Sequence, residues 1–160
     1  MRADPGIREI TYDRGKAMEE KMEHSIQRLE DESRLRHLID EVSILADQKD
    51  IAQQMTYFTE DAVMITKIGG RTYELTGRKA ILQAFSGLVD GFRRSFHMNG
   101  QVSLDIEEDT ANAVIYCRAM IEREQSMEDE FAVYRDTYEK RDGTWRIARR
   151  ESEILWIRQV

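Results

Sequence analysis

Ser95-Phe-His-Met-Asn-Gly-Gln-Val-Ser-Leu-Asp-Ile106 is where the chain changes its hydrophobic period, and reading it decides the fold class. Phe96, Met98, Val102, Leu104 and Ile106 share one parity; His97, Asn99, Gln101, Ser103 and Asp105 share the other. That is the period of two expected of a strand with one polar face. Upstream the period is helical. Ala80, Ile81, Ala84, Phe85 and Leu88 recur at three- and four-residue spacings over 78–89, after Gly77. Downstream, a turn at Glu107–Thr110 leads to strands over 111–123, 129–140 and 144–157, the last two joined at Asp142-Gly143, a strong hairpin signal. Before the helix, 62–68 and 71–75 flank Gly69-Gly70 as a small hairpin, and Asp50 with Gln53 has the spacing of a capping box opening a short helix over 51–58. From Ile7 to Asp47 the pattern is helical in one or two parts, and Leu35, Leu38, Ile39, Val42, Leu45 and Ala46 make 34–48 the first core helix. Helices followed by a meander of long strands predict an α+β fold, with the helices packed on one face of a curved antiparallel sheet.

The chain has 160 residues, 41% hydrophobic and 34% charged, which suits one folded domain. We place that domain at 33–160, behind a helical extension at 1–32. The extension's stripe of Met18, Met22, Ile26 and Leu29 docks on the domain or, in coiled-coil fashion, on a second copy. A net charge of −7 gives no support to a broad phosphate-binding face, so no nucleic-acid partner is expected. No apolar run approaches the roughly 20 residues of a bilayer span, so no membrane partner is expected. Met1 to Met22 is too polar for a signal peptide, and the expected location is cytoplasmic. Cys117 is the single cysteine, which excludes an intramolecular disulfide.

Phosphate-binding glycine loops, dinucleotide fingerprints, HExxH and nucleophile elbows are all missing from the sequence. The three histidines, at 24, 37 and 97, are not spaced as metal ligands, so neither metal nor cofactor is expected. His97 is the most informative residue. On the polar parity beside Asn99 and Gln101, it borders either solvent or a polar-lined cavity. As a general base it needs a carboxylate to orient its ring, and Asp40, Asp47, Asp50, Asp61, Asp105 and Asp136 are all available. Spacing does not select among them. On a helical wheel Asp47 lies about 120° from the Leu35 stripe, a direction that reads as solvated unless the helix ends there. Arg150, Tyr116 and Tyr134 could stabilise developing negative charge, although Arg150 could equally pair with Glu151, Glu153 or an acid on a neighbouring strand. Met64 suits an adaptable apolar lining.

Leu45-Ala-Asp-Gln-Lys-Asp50, Tyr57-Phe-Thr-Glu-Asp-Ala-Val63, Thr76-Gly-Arg-Lys-Ala-Ile81, Ser95-Phe-His97 and Tyr134-Arg-Asp-Thr-Tyr-Glu-Lys-Arg-Asp-Gly-Thr-Trp-Arg-Ile147 follow one another in an order and spacing that resembles the SnoaL-like branch of the nuclear transport factor 2-like superfamily, over about residues 33–157. The resemblance implies a cone-shaped α+β barrel whose helices close over a curved sheet around an apolar cavity. Within the superfamily the chain is similar to lyases of the scytalone dehydratase, bile-acid 7α-dehydratase and dehydrochlorinase types. Those imply an Asp47–His97 pair that removes a substrate proton, with Arg150 as a third catalytic group. The tyrosine that dehydratases carry on the first helix would fall near Val42, a departure from their pattern. The expectation is a cofactor-free lyase or isomerase acting on a small hydrophobic or cyclic substrate, with Tyr116, Tyr134, Met64 and Asn99 contacting it. A homo-oligomer, dimer or trimer, is implied as well. The alternative is a non-catalytic ligand-binding or oligomerisation module on the same fold.

Overall fold

The computed structural model describes residues 5–160, with side chains from residue 15 onward. One uninterrupted helix, α1, runs from Pro5 to Asp47, so the extension and the first core helix form one rod. Its two halves do different work. Leu35, Leu38, Ile39 and Val42 are buried, whereas Met18, Met22, Ile26 and Leu29 are exposed and do not dock on the described part of this domain. The rod meets the domain at Asp31, which accepts hydrogen bonds from Trp145 Nε1 at 2.8 Å, Lys140 Nζ at 2.9 Å and Gln27 Nε2 at 3.2 Å. Burial alone would raise the Asp31 pKa. The bonds from Lys140, Trp145 and Gln27 outweigh it and hold the carboxyl below the ordinary carboxylate range.

After α1, the expected helix over 51–58 is shorter: α2 (Ile51–Gln54) passes into a 3-10 turn at Met55–Tyr57, and strand β1 (Phe58–Ile68) starts earlier than the periodicity suggested. Half of the expected capping box forms: Asp50 Oδ1 accepts from the Gln53 amide at 3.0 Å, while the Asp50 N–H donates to the Leu45 carbonyl and not to Gln53. β2 (Arg71–Thr76) returns as a hairpin through Gly69 and Gly70, both at positive φ, a conformation glycine adopts without penalty. Helix α3 (Arg78–Asp90) follows, then β3 (Arg94–Glu107), β4 (Thr110–Glu122), β5 (Met127–Arg141) and β6 (Thr144–Gln159).

The six strands form one curved, open sheet in the order β2-β1-β6-β5-β4-β3. It is mixed, because β1 pairs parallel to β6, whereas local patterning implied antiparallel pairing throughout. Leu35, Leu38 and Val42 of α1 and Ile81 of α3 pack with Phe58, Ile115, Tyr138 and Ile147 of the sheet, and each buried aliphatic side chain stabilises the layer by about 1.5–3 kcal/mol.

One departure from simple alternation positions the candidate site residues. In the β3–β4 pairing Asn99 faces Cys117 and Val102 faces Ile115, so β3 carries one extra residue, a bulge at Gly100-Gln101. The bulge reverses parity. Val102, Leu104 and Ile106 pack on the core below it, while above it Ser95, His97 and Asn99 face inward and Phe96 and Met98 stand exposed on the outer face. The single parity read from the sequence, with all five apolar residues on one side, is therefore corrected.

Candidate active site

Asp47 is the last residue of α1, and there the chain leaves the helix through Lys49 at a φ of 60°, whose ammonium bonds the Phe92 carbonyl just before β3. This turn brings the Asp47 carboxylate onto the upper end of β3. Oδ1 accepts from His97 Nδ1 at 2.6 Å and from Ser95 Oγ at 3.0 Å, and Oδ2 accepts from the His97 backbone N–H at 2.9 Å. Three donors from one strand end fix the carboxylate, which points to the sheet instead of to solvent as the helical wheel implied. Partial burial would raise the Asp47 pKa, but the His97 ring, the His97 amide and Ser95 outweigh it and hold the group ionised below its ordinary range. An ionised carboxylate only accepts, so the contact assigns the proton to Nδ1 and leaves the Nε2 lone pair of the neutral ring available.

His97 and Ser95 form part of the wall of a cavity of about 350 Å³ between the helices and the concave face of the sheet. Most of its surface is apolar, from Val42, Ile51, Met64, Phe85 and Leu88 among others. Met64 and Tyr134, both expected to meet a ligand, line it, as does Arg150. Arg150 is buried and paired with Asp136 on the neighbouring strand, Nε to Oδ1 at 2.8 Å and Nη2 to Oδ2 at 2.6 Å, and Tyr138 Oη donates to the same Asp136 oxygen at 2.6 Å. Its guanidinium carbon lies 4.8 Å from the centre of the Tyr134 ring. Burial opposes the Arg150 charge, yet the Asp136 carboxylate keeps it firmly protonated.

Two expected substrate contacts lie elsewhere. Tyr116 is exposed on the opposite face of the sheet, because β4 alternates without interruption and Tyr116 shares the parity of Val114. Asn99 faces inward but is used by the fold, donating to Ser43 Oγ at 3.0 Å and to the Ile39 carbonyl at 3.4 Å on α1.

The model of the SnoaL-like domain matches residues 27–151. The chain belongs to this family. Among solved structures, a candidate scytalone dehydratase from Novosphingobium aromaticivorans is similar at 23% identity and a TM-score of 0.76, over 83% of this chain and 89% of that one. A type 3 hexachlorocyclohexane dehydrochlorinase from Novosphingobium barchaimii is similar at 18% identity and a TM-score of 0.75, over 85% and 94%. A candidate aromatic ring hydroxylase from N. aromaticivorans gives 20% identity and a TM-score of 0.75, over 82% and 94%. No curated protein matches the chain. The three structures carry names from different reaction classes, and what they establish for this SnoaL-like domain is the cone fold.

The cavity of this SnoaL-like domain also contains polar groups that sequence reasoning missed. Ser95 steadies Asp47, and only its i−2 spacing from His97 on a strand hinted at that. Gln54 is buried on the wall; its Nε2 donates to the Val42 carbonyl at 2.8 Å, while its Oε1 has no partner. Glu130, on β5, lines the same space. No motif marked it, since it lies in an acidic stretch at the start of the strand expected over 129–140. No helix is long and apolar enough to cross a membrane, and no group of three His, Cys, Asp or Glu side chains is placed to hold a metal ion among the described residues.

Proposed function

We propose that this SnoaL-like domain is a small-molecule lyase in which His97 is the general base and Asp47 its orienting partner. The observation that carries the reading is the 2.6 Å contact between Asp47 Oδ1 and His97 Nδ1 at the wall of an apolar cavity. In a substrate seated there, His97 Nε2 takes a proton from carbon, and Asp47 stabilises the imidazolium as it forms. The electron pair released moves toward an adjacent leaving group, or, in an isomerase, along a conjugated system. A positioned base of this kind contributes about 10²–10⁴ in rate. Buried Arg150, held by Asp136 and stacked on Tyr134, adds a fixed positive charge on the cavity wall where negative charge accumulates. Met64 and Tyr134 shape the space for a small hydrophobic or cyclic compound.

The non-catalytic alternative would account for the cavity but gives no reason for a carboxylate fixed by Ser95 and the His97 amide to orient an imidazole at its wall as well. The exposed outer face carrying Phe96, Met98, Tyr116 and Trp156, the last stacked on Phe131 at 4.7 Å, supports a homo-oligomer. The test is turnover of a panel of hydroxylated and halogenated cyclic compounds by wild type and His97→Ala. A loss of 10²-fold or more in kcat is expected for the variant. Equal rates would remove His97 from the chemistry.

A further inference from the structure

The lyase reading leaves one half of an elimination unassigned. A base removes a proton from one carbon, but hydroxide is a poor leaving group and departs readily only when an acid protonates it in the same step. Halide or carboxylate leaving groups need no such help. An acid beside the base on the cavity wall, within reach of the neighbouring carbon, would therefore say which kind of substrate the site takes.

Glu130 occupies that place. Ala119 of β4 is in register with His97 of β3 on one side and with Glu130 of β5 on the other. Directly opposed residues share a face, so the His97 and Glu130 side chains project into the same cavity, two inter-strand spacings or roughly 9–10 Å apart at the backbone. Only an alanine methyl lies between them. A substrate C–H and C–O on adjacent carbons, hydrogen-bonded to a base at one end and an acid at the other, spans roughly 7–9 Å. Glu130 has no hydrogen-bond or ion-pair partner among the described residues. Arg123, the nearest cation along the wall, is committed to Glu128 at 3.1 Å and to the face of Phe92 at 4.7 Å. Burial, reinforced by the Glu128 charge and only partly offset by Arg123 and His97, raises the Glu130 pKa above the ordinary glutamate range. Asp47 is a fixed anion on the far side of the His97 ring, and Arg150 bonds Asp136, not Glu130. An unpaired carboxyl that holds its proton to higher pH than an ordinary glutamate is shifted in the direction a proton donor requires.

We propose that Glu130 is the general acid of this site, so that the substrate is an alcohol carrying an acidified C–H next to the carbinol carbon, and the product is an alkene and water. The inference rests on the lyase reading above. In the balanced step His97 Nε2 takes the proton from carbon, and the C–H electron pair becomes the new π bond. The C–O bond breaks with its pair going to oxygen, and the Glu130 O–H proton passes to that oxygen to release water. Imidazolium and Glu130 carboxylate remain, and return of one proton from the first to the second resets the pair with no external reactant.

The test uses 3-hydroxy-5-phenylcyclohexanone and its 3-acetoxy counterpart, which give the same enone but differ in whether the leaving group needs a proton. Wild type, Glu130→Gln and His97→Ala are compared on both. Glu130→Gln is expected to lose at least 10²-fold in kcat on the alcohol and less than 3-fold on the acetate, while His97→Ala loses on both. If His97→Ala falls on both but Glu130→Gln falls equally on both, or on neither, this inference is overturned and the lyase reading stands. If His97→Ala equals wild type, the lyase reading fails and this inference with it. Carboxyl-labelled glutamate NMR, with Glu130→Gln assigning the resonance, supplies a readout independent of turnover. Titration of Glu130 above the ordinary range supports the acid role even where neither ketone is a substrate, and titration at the ordinary value overturns it.

Discussion

Asp47→Asn isolates the orienting role from the shape of the site, because the substitution preserves volume while removing the charge. In the wild type both carboxylate oxygens are used: three donors converge at 2.6, 2.9 and 3.0 Å. An asparagine retains one oxygen. If that oxygen stays on the His97 amide, the new NH2 group faces Nδ1, and the ring must present a lone pair there and carry its proton on Nε2. The wrong nitrogen then meets the substrate. A base trapped in the wrong tautomer loses most of its contribution, so kcat should fall by about 10³–10⁴, as the same exchange does in a serine-protease triad. Stability changes less. Charge-assisted bonds are worth about 1.5–3 kcal/mol in protected settings, and the partial exposure of this pair brings the expected loss to about 1–2 kcal/mol. At this chain length that is a fall in Tm of roughly 2–8 °C. Long-range ¹H–¹⁵N spectra of the imidazole report the tautomer directly, with no substrate needed, and turnover on the cyclic panel reports the rate. Asp47→Asn protein whose ring keeps its proton on Nδ1, or whose kcat stays within 3-fold of wild type, would refute the reasoning.

Two further substitutions probe how the site is held. Asp31→Ala strands the Lys140 ammonium and the Trp145 indole N–H at the junction of α1 with the β5–β6 hairpin, and should cost about 3–5 kcal/mol by chemical denaturation. The same carboxyl has a sign in pH. Its folded pKa is depressed, so its stabilisation is complete above the unfolded value near 4 and is lost as pH falls through the folded value; Asp31→Asn should lower Tm at neutral and alkaline pH, where that stabilisation is present, and so flatten the acid limb of a Tm-against-pH curve. Asp136→Asn leaves the buried Arg150 charge uncompensated beside the Tyr134 ring and should destabilise by about 3–5 kcal/mol, measured in urea, with a larger effect than any substitution of an exposed ion pair such as Lys67 with Glu151.

The architecture was legible because its signals are local and redundant. Period 3.6 in 34–48 and 78–89, period 2 downstream, and Asp142-Gly143 at a turn with φ values of 52° and 71° each depend only on neighbouring residues. The β1–β6 pairing was not legible, since two strands separated by nearly half of the chain leave no mark of their relative direction in either one. The resemblance identified the Asp47–His97 pair; periodicity alone would have put the aspartate in solvent. Glu130 was hidden for a related reason, because a carboxyl in an acidic stretch looks solvated until the register with Ala119 and His97 is known.

The bulge in β3 explains why the polar half of that strand faces the interior at all. Without the extra residue, the pleat that directs Val102, Leu104 and Ile106 onto the core would also turn Phe96 and Met98 inward and swing His97 to the outer face, away from Asp47. A cavity lined by an imidazole and a continuous apolar core therefore make opposite demands on one strand, and strict alternation satisfies only one of them. Gly100-Gln101 resolves the conflict by resetting the parity between the two regions. The apolar residues displaced outward then become the exposed outer face, so the demand that places His97 in the cavity also leaves Phe96 and Met98 uncovered beside Tyr116 and Trp156.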